Sequence, residues 1–454
     1  MSNTAPEGAA ATGLVGRLYD LATGEDEARL CRDIPDSQCR EEPRGFVAQI
    51  VAQALSKSGD ALADPRIVLP WLLGAVGAPA FFIGLLVPIR ESLALLPQIL
   101  IGSVIRRFPV RKWFWIGASV VEGACIMSMG LVALAGMRGA TAGWIIAGLL
   151  VLFSLARGVA SIASKDTLGK TVSKGRRGRV GGYAGTVSGL VAGAVGLYLV
   201  LSPAAARPEG LLYALIVAAG LSWFAAAASF AAIAEHPGAT DGGRGIADLL
   251  GEQVSLLFSD RQLQLFLIAR TLMISTSLTG PVYVALAQQG MGNALDSLGW
   301  LILASGLAGT LSSSFWGLFS DRSSRATMAA GAGIAAALGI GTLIALSVSP
   351  DLADSRFFFA VLLFILGISH AGVRIGRKTH IVDMAGPDRK AEYVALSNTL
   401  IGVLLLVIGA AVGVLMSIGL KFALIVLSVL ALLGAAVALK MDNVQKYGLR
   451  GLSR

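Results

Sequence analysis

Residues 394–439 read VALSNTLIGVLLLVIGAAVGVLMSIGLKFALIVLSVLALLGAAVAL, two apolar runs of helical length that carry a single charge, Lys421. At about 1.5 Å of rise per residue, roughly twenty such residues cross the ~30 Å hydrocarbon layer of a bilayer. Working outward, comparable windows recur at 67–89, 92–105, 113–136, 142–164, 181–201 and 210–234, and again at 265–287, 297–319, 326–348 and 357–375. The expected fold is an all-α membrane protein of twelve transmembrane helices in two pseudo-symmetric six-helix bundles. Barrel strands are excluded, being about ten residues long and alternating in polarity.

The rest of the composition agrees. Of 454 residues, 55% are hydrophobic and 14% charged, with a mean hydropathy of +0.73, far from a soluble domain. The net charge of +9 is not a nucleic-acid footprint, because the basic residues fall in short loops between apolar windows, where topology and lipid headgroups account for them. Arg106, Arg107, Arg111 and Lys112 follow the second window, and Lys165, Lys170, Lys174, Arg176, Arg177 and Arg179 follow the fourth. Arg322, Arg325, Arg374, Arg377, Lys378, Arg389 and Lys390 mark later even-numbered exits, whereas odd-numbered exits hold Arg138 and Arg356 beside Asp351 and Asp354. Both termini are therefore expected on the cytoplasmic side of a bacterial inner membrane.

The expected organisation is a cytoplasmic lead (1–65), a first bundle (66–235), a cytoplasmic linker (236–264), a second bundle (265–440) and a tail (441–454). The lead lacks the early apolar core of a signal peptide. Within it, Phe46, Ile50, Val51, Ala54 and Leu55 share one face of a helix at 45–62, which either caps the bundle or lies on the lipid surface. Cys31, Cys39 and Cys125 make no disulfide framework, and the first two lack zinc spacing and a neighbouring histidine. They read as reduced thiols, with no metal or cofactor expected.

The two halves resemble each other. The fourth window leads through Arg157 to Thr167, Arg179 and Tyr183, and the tenth leads through His370 to Thr379, Arg389 and Tyr393. Such a repeat places a solute path between the halves. At the eighth exit, Gly317-Leu-Phe-Ser-Asp321-Arg322-Ser-Ser-Arg325 resembles the Gly-x-x-x-Asp-Arg-x-Gly-Arg signature of major facilitator superfamily transporters, with Ser324 at the second glycine. The first-half counterpart begins at Gly102 and has Arg106 where the acid is expected. This resemblance covers residues 67–440. It implies secondary active transport of a small solute by alternating access, with Gly317, Asp321, Arg322 and Arg325 as a gating turn at the cytoplasmic rim. Glu392 is placed to pair with Arg322 or Arg325 there. Expected partners are a small solute, membrane lipid and, as an option, a coupling proton, for a monomeric protein.

Ionisable residues inside spans are costly, about 2.5–3.5 kcal/mol each at a helix centre, so each is a site candidate. Arg157 lies deep in the fourth span and serves either solute or an interhelical pair. Arg270 in the seventh span either faces the cavity or snorkels. His370 is the residue best suited to titrate near neutral pH. Glu91 sits with Arg90 at the expected outer turn and faces the cavity only if the second span starts early. Asn398, Gln98, Ser275, Thr276, Ser277, Thr279 and Tyr283 offer hydrogen bonds. Pro79 and Pro281 occupy matching places in the first and seventh spans, and paired helix breaks point to a midplane site. The glycine face from Gly181 to Gly196 reads as helix packing.

Cationic candidates outnumber acidic ones, which leans the solute towards an anion or zwitterion. The alternative is efflux of amphipathic compounds from an apolar cavity lined by Trp71, Phe81, Phe82, Phe315 and Trp316. A reading of another class is a non-transporting sensor or scaffold with the lead as its partner-binding arm. No phosphate-binding Gly-x-x-x-x-Gly-Lys-Ser/Thr, nucleophile set or metal cluster is present in the sequence, so neither an enzyme nor an ATP-driven pump is expected.

Overall fold

Polar residues survive inside a membrane bundle only where protein groups replace water as their partners. That rule decides where the first crossing lies. The computed structural model describes residues 19, 36–96, 98–208, 210–238, 240 and 256–445; Cys31 and most of the expected linker lie outside the described residues. In the first half, α1 (Asp36–Leu62) and α2 (Val68–Ala75) form one broken crossing, and α3 (Ala80–Leu95) with α4 (Gln98–Ile105) forms the next. Single helices follow: α5 (Lys112–Leu134), α6 (Gly139–Thr171), α7 (Lys174–Leu201) and α8 (Leu211–Ala231).

The second half repeats the plan. Helices α9 (Arg261–Leu272) and α10 (Ser275–Met291) form its broken first crossing, followed by α11 (Leu295–Arg322), α12 (Ser324–Val348), α13 (Arg356–Met384), α14 (Gly386–Ile418) and α15 (Leu420–Lys440). Ten stretches among the described residues, α9 and α10 taken together, are long and apolar enough to cross a membrane. Large aliphatic side chains such as Leu190, Leu201, Val348 and Ile418 stay exposed on the outside of the bundle, as a lipid-facing surface requires.

The expected lead is corrected by this arrangement. Helix α1 falls within the expected lead (1–65), yet it packs against α7 and α8 and touches α6. Its polar groups are used there: Gln49 Nε2 donates to Thr171 Oγ1 (3.4 Å), Lys57 Nζ donates to the Gly181 carbonyl (2.9 Å), and Ser188 Oγ donates to the Lys57 carbonyl (2.8 Å). A hydropathy window scores these residues as if they faced lipid, which is why the sequence pattern starts the first span at 67. The connection to the second crossing shifts with it, from Arg90 and Glu91 to the turn Val76–Pro79, where Gly77 has φ +71°.

Helix breaks occur at matching places, as expected, but not at the expected prolines. Pro79 precedes α3 in the turn, and Pro281 lies within continuous α10. The breaks fall instead at residues 63–67 and 273–274.

The halves meet along α3 with α14 and along α7 with α11. Close approach at the first seam depends on glycine: a Cβ on Gly84 would lie 2.4 Å from Gly413 Cα, and one on Gly413 would lie 2.8 Å from the Phe81 carbonyl. Of the α7 glycines, Gly196 meets α11, whereas Gly181, Gly182, Gly185, Gly189 and Gly193 border open space. Gly84→Ala is therefore expected to lower stability by about 1–3 kcal/mol through overpacking. Thermal unfolding in detergent measures this, and a wild-type profile would mean that the seam can separate freely.

Candidate functional site

The break in the first crossing presents charge to the seam between the halves. Asp64 accepts from the N–H groups of Arg66 (2.7 Å) and Ile67 (3.1 Å), satisfying backbone donors that the interrupted helix leaves open. Arg66 reaches Glu91 on α3 at 2.5 Å, and Ser277 Oγ on α10 lies 3.5 Å from the same carboxylate. The Arg66 Cβ is also 3.5 Å from where a Gly280 Cβ would stand. Glu91 is thus interior, because the second crossing begins at Ala80.

The second half supplies cations to the same place. Arg270, in the last turn of α9 and 8% exposed, donates to Ser397 Oγ and to Asn398 Oδ1 (3.0 Å) on α14. Its Nε is buried without a hydrogen-bond partner. His370 Nδ1 lies 3.1 Å from Thr276 Oγ1, and Arg377 follows two turns later on α13. Glu91, Arg270, Ser277, His370 and Arg377 line one narrow cavity of about 30 Å³. Arg270, His370, Glu91 and Asn398 are therefore brought together, in one cluster drawn from both halves.

Arg157 is elsewhere. It pairs with Asp60 of α1, which also binds Arg90 of α3 at 2.8 Å, and its Nη1 lies 3.7 Å from Glu122 of α5 and 3.2 Å from Ser56 Oγ. Arg90 in turn stacks over the Phe153 ring at 4.6 Å. This quartet of two acids and two arginines ties four helices together, the interhelical alternative for Arg157. Asp60 and Glu122 escaped the sequence reading. The signal for Glu122 was present, a lone carboxylate in the middle of WFWIGASVVEGACIMSMG; the signal for Asp60 was hidden by the misplaced first span.

Beside the quartet a wider vestibule of about 190 Å³ is lined by Gln53, Ser56, Lys57, Arg157, Ser164 and Lys165. It lies towards the end of the bundle that holds Asp36 and Lys440, the terminus end. The far end is closed: Gln288 Nε2 donates to the Trp71 carbonyl (3.0 Å), and Asp296 of α11 lies 3.9 Å from Arg207 and 2.5 Å from Arg356. Among the described residues no ion pair joins the halves at the terminus end.

At the terminus-end rim the gating residues do not form a cross-bundle pair. Arg325 donates to the carbonyls of Leu439 (3.3 Å) and Met441, capping α15. Asp321 and Arg322 are exposed, and a Cβ on Gly317 would meet open space. Glu392 pairs with Arg389 at 3.3 Å and with neither Arg322 nor Arg325. The denser network sits in the first half, where Arg111 binds Asp166, Lys170 bridges Asp166 and Glu235 at 2.9 Å each, and Glu235 accepts from the N–H of Lys112 (2.6 Å). Acids from α6 and from the end of α8 thus replace the one missing at Arg106.

The aromatic candidates leave the cavity. Trp71 is fully buried in the core, Phe81 and Phe82 cluster with Trp144, Phe315 is exposed, and Trp316 Nε1 donates to the Ile368 carbonyl (2.8 Å). Ser275 and Thr279 bond to carbonyls of their own chain segment, and Tyr283 pairs with Thr342. The side chain of Gln98 lies outside the described residues.

Residues 265–451 match the family model described as Major Facilitator Superfamily. By sequence, no curated protein matches the chain. Solved structures of similar fold include the nucleoside transporter NupG (13% identity, 88% of this chain and 98% of that one, TM-score 0.61). The inward-open xylose transporter XylE from E. coli is similar at 12% identity over 87% of this chain and 95% of that one (TM-score 0.61). A peptide transporter POT in complex with sulfate is similar at 13% identity over 87% and 94% (TM-score 0.64).

Proposed function

We propose, from the fold shared with solved transporters and the match of residues 265–451 to the Major Facilitator Superfamily model, that the chain carries a small anionic solute by secondary active transport. One observation carries the anionic reading. The cavity between the halves holds Arg270 and Arg377, neither with a carboxylate partner among the described residues, while its one lining acid, Glu91, is matched by Arg66. Burying guanidinium groups is costly unless a counter-charge arrives, and a solute carboxylate or phosphate offers bidentate hydrogen bonds to them. The narrowness of the cavity and the dispersed aromatics speak against efflux of bulky amphipathic compounds. The helical packing of α1 within the bundle speaks against a free partner-binding arm over residues 36–62.

The broken crossings at 63–67 and 273–274 supply hinges at equivalent places in the two halves; Met273 and Ile274 line the cavity, and the first break reaches it through the Arg66–Glu91 pair. In this reading the terminus end is cytoplasmic, by the placement of basic loops, and the structure is open towards the cytoplasm. The experiment is ligand-dependent thermal stabilisation of the purified protein against mono- and dianionic metabolites, neutral sugars and cationic dyes. A true solute at a hundredfold excess over its dissociation constant stabilises by about 2.7 kcal/mol. Anions are expected to do so; stabilisation by sugars or dyes alone would defeat the anionic reading.

A further inference from the structure

The open terminus end carries charge of one sign on both of its walls. On the first half, Arg157, Ser161, Ser164 and Lys165 present one face of α6 to the vestibule. On the second half, His370, Arg374 and Arg377 share a face of α13 at spacings of four and three, with Lys378 beside them. Lys165 lies close enough to Lys378 to repel it across the gap between the halves. Lys165, Arg374 and Lys378 are exposed and have no ion-pair partner among the described residues.

Nearby carboxylates are already engaged. Glu91 belongs to Arg66, Asp60 and Glu122 to Arg90 and Arg157, Asp64 to two backbone N–H groups, and Asp166 to Arg111 and Lys170. The contrast with the far end is sharp, since there Asp296 stands between Arg207 and Arg356 and closure brings opposite charges together. Closing the terminus end moves α6 towards α13 and brings Lys165 against three cations whose one nearby acid, Glu91, is already paired with Arg66. Like charges at such range disfavour the closed state strongly unless something neutralises them.

We propose that the empty protein cannot close its terminus end, and that a small dianion bridging Lys165 and the Arg374, Arg377 and Lys378 cluster permits closure, which makes the protein an obligate exchanger of small dianions. The charge of the solute rests on the anionic reading above; the electrostatic barrier to closure does not. An empty carrier that cannot close cannot return across the membrane, so each outward passage of an anion requires an inward one.

The test measures closure directly. Spin labels are placed at Arg106 and Asp321, exposed residues at the terminus end of each half, in a chain whose native cysteines are replaced by serine. In the empty protein at about 50 mM KCl the interlabel distance should report the open state, and about 500 mM KCl should shift it towards closed by screening. K165Q/R374Q/K378Q should raise the closed-to-open ratio at least about tenfold without salt or ligand. Salt-insensitive distances identical in wild type and variant would overturn the barrier, and the salt series stands alone if the variant fails to fold.

Succinate and inorganic phosphate serve as probes of the ligand. Either should close the wild-type protein, and labelled probe should enter preloaded vesicles at least tenfold faster than empty ones; equal rates would overturn exchange. If the salt and variant shifts occur while neither probe closes the protein, the dianion and the anionic reading fall together and the charge barrier stands.

Discussion

Arg270→Ala is expected to reduce transport by about 10- to 100-fold or more, the loss that follows from removing charge-assisted hydrogen bonds of roughly 1.5–3 kcal/mol from a desolvated site. Three features combine in this side chain. It ends α9 at one hinge, it spans to Ser397 and Asn398 on α14, and its Nε points no hydrogen bond at protein. Removing it leaves two small polar groups that can bond to each other or to water, so membrane insertion and the bundle should persist. Uptake of the stabilising anion into proteoliposomes measures the effect, with monodispersity in detergent as the control for folding. Arg270→Lys keeps the charge but loses the planar fork, and an intermediate rate is expected. A variant with wild-type uptake and wild-type ligand stabilisation would remove Arg270 from the solute site.

The largest expected effect on stability belongs to Asp60→Asn. Asp60 is the hub of the quartet, binding Arg90 at 2.8 Å and Arg157 besides, and both arginines lie inside the bundle. Neutralising it leaves Glu122, 3.7 Å from Arg157, as the remaining counter-charge for two guanidinium groups. Breaking a buried ionic network by removing one partner costs about 3–5 kcal/mol, because a desolvated charge is left behind. Thermal unfolding in detergent should show a large drop for Asp60→Asn and partial recovery for the double variant Asp60→Asn with Arg157→Gln. Additive losses in the double variant would show that the two residues do not compensate each other. The same comparison separates structure from solute chemistry at Arg157: if the quartet is structural, the double variant recovers stability and keeps binding the anion.

Single polar residues in otherwise apolar windows were the legible part of the site. Arg270, His370 and Asn398 stand out in this way, and the structure places all of them near the seam between the halves. Glu91 was legible as an acid but its place was not, since it depended on where the second crossing began. Asp60 could not be read at all, because α1 carries Gln49, Gln53, Lys57 and Asp60 at a density that resembles a surface helix. At the rim the sequence motif lies in the second half, whereas the ion-pair network lies in the first. The acid absent from the first-half turn is supplied by Asp166 and Glu235 from distant points of the chain, and no local motif records that.

Residues 394–439 show where the division lies. Their apolar length alone determines that the chain crosses a membrane, since the free energy of moving twenty such side chains out of water depends on composition and hardly on neighbours. The same holds for the two-bundle plan, which repeats in local patterns of windows and basic loops. Which polar residue is tolerated inside a crossing, and what it does there, is settled by partners tens or hundreds of positions away: Ser397 and Asn398 acquire their role from Arg270, and Asp60 from Arg90 and Arg157. A buried charge is stabilised by whatever group lies against it in space, so only the tertiary structure could decide which charges are matched within the protein and which remain open to a solute.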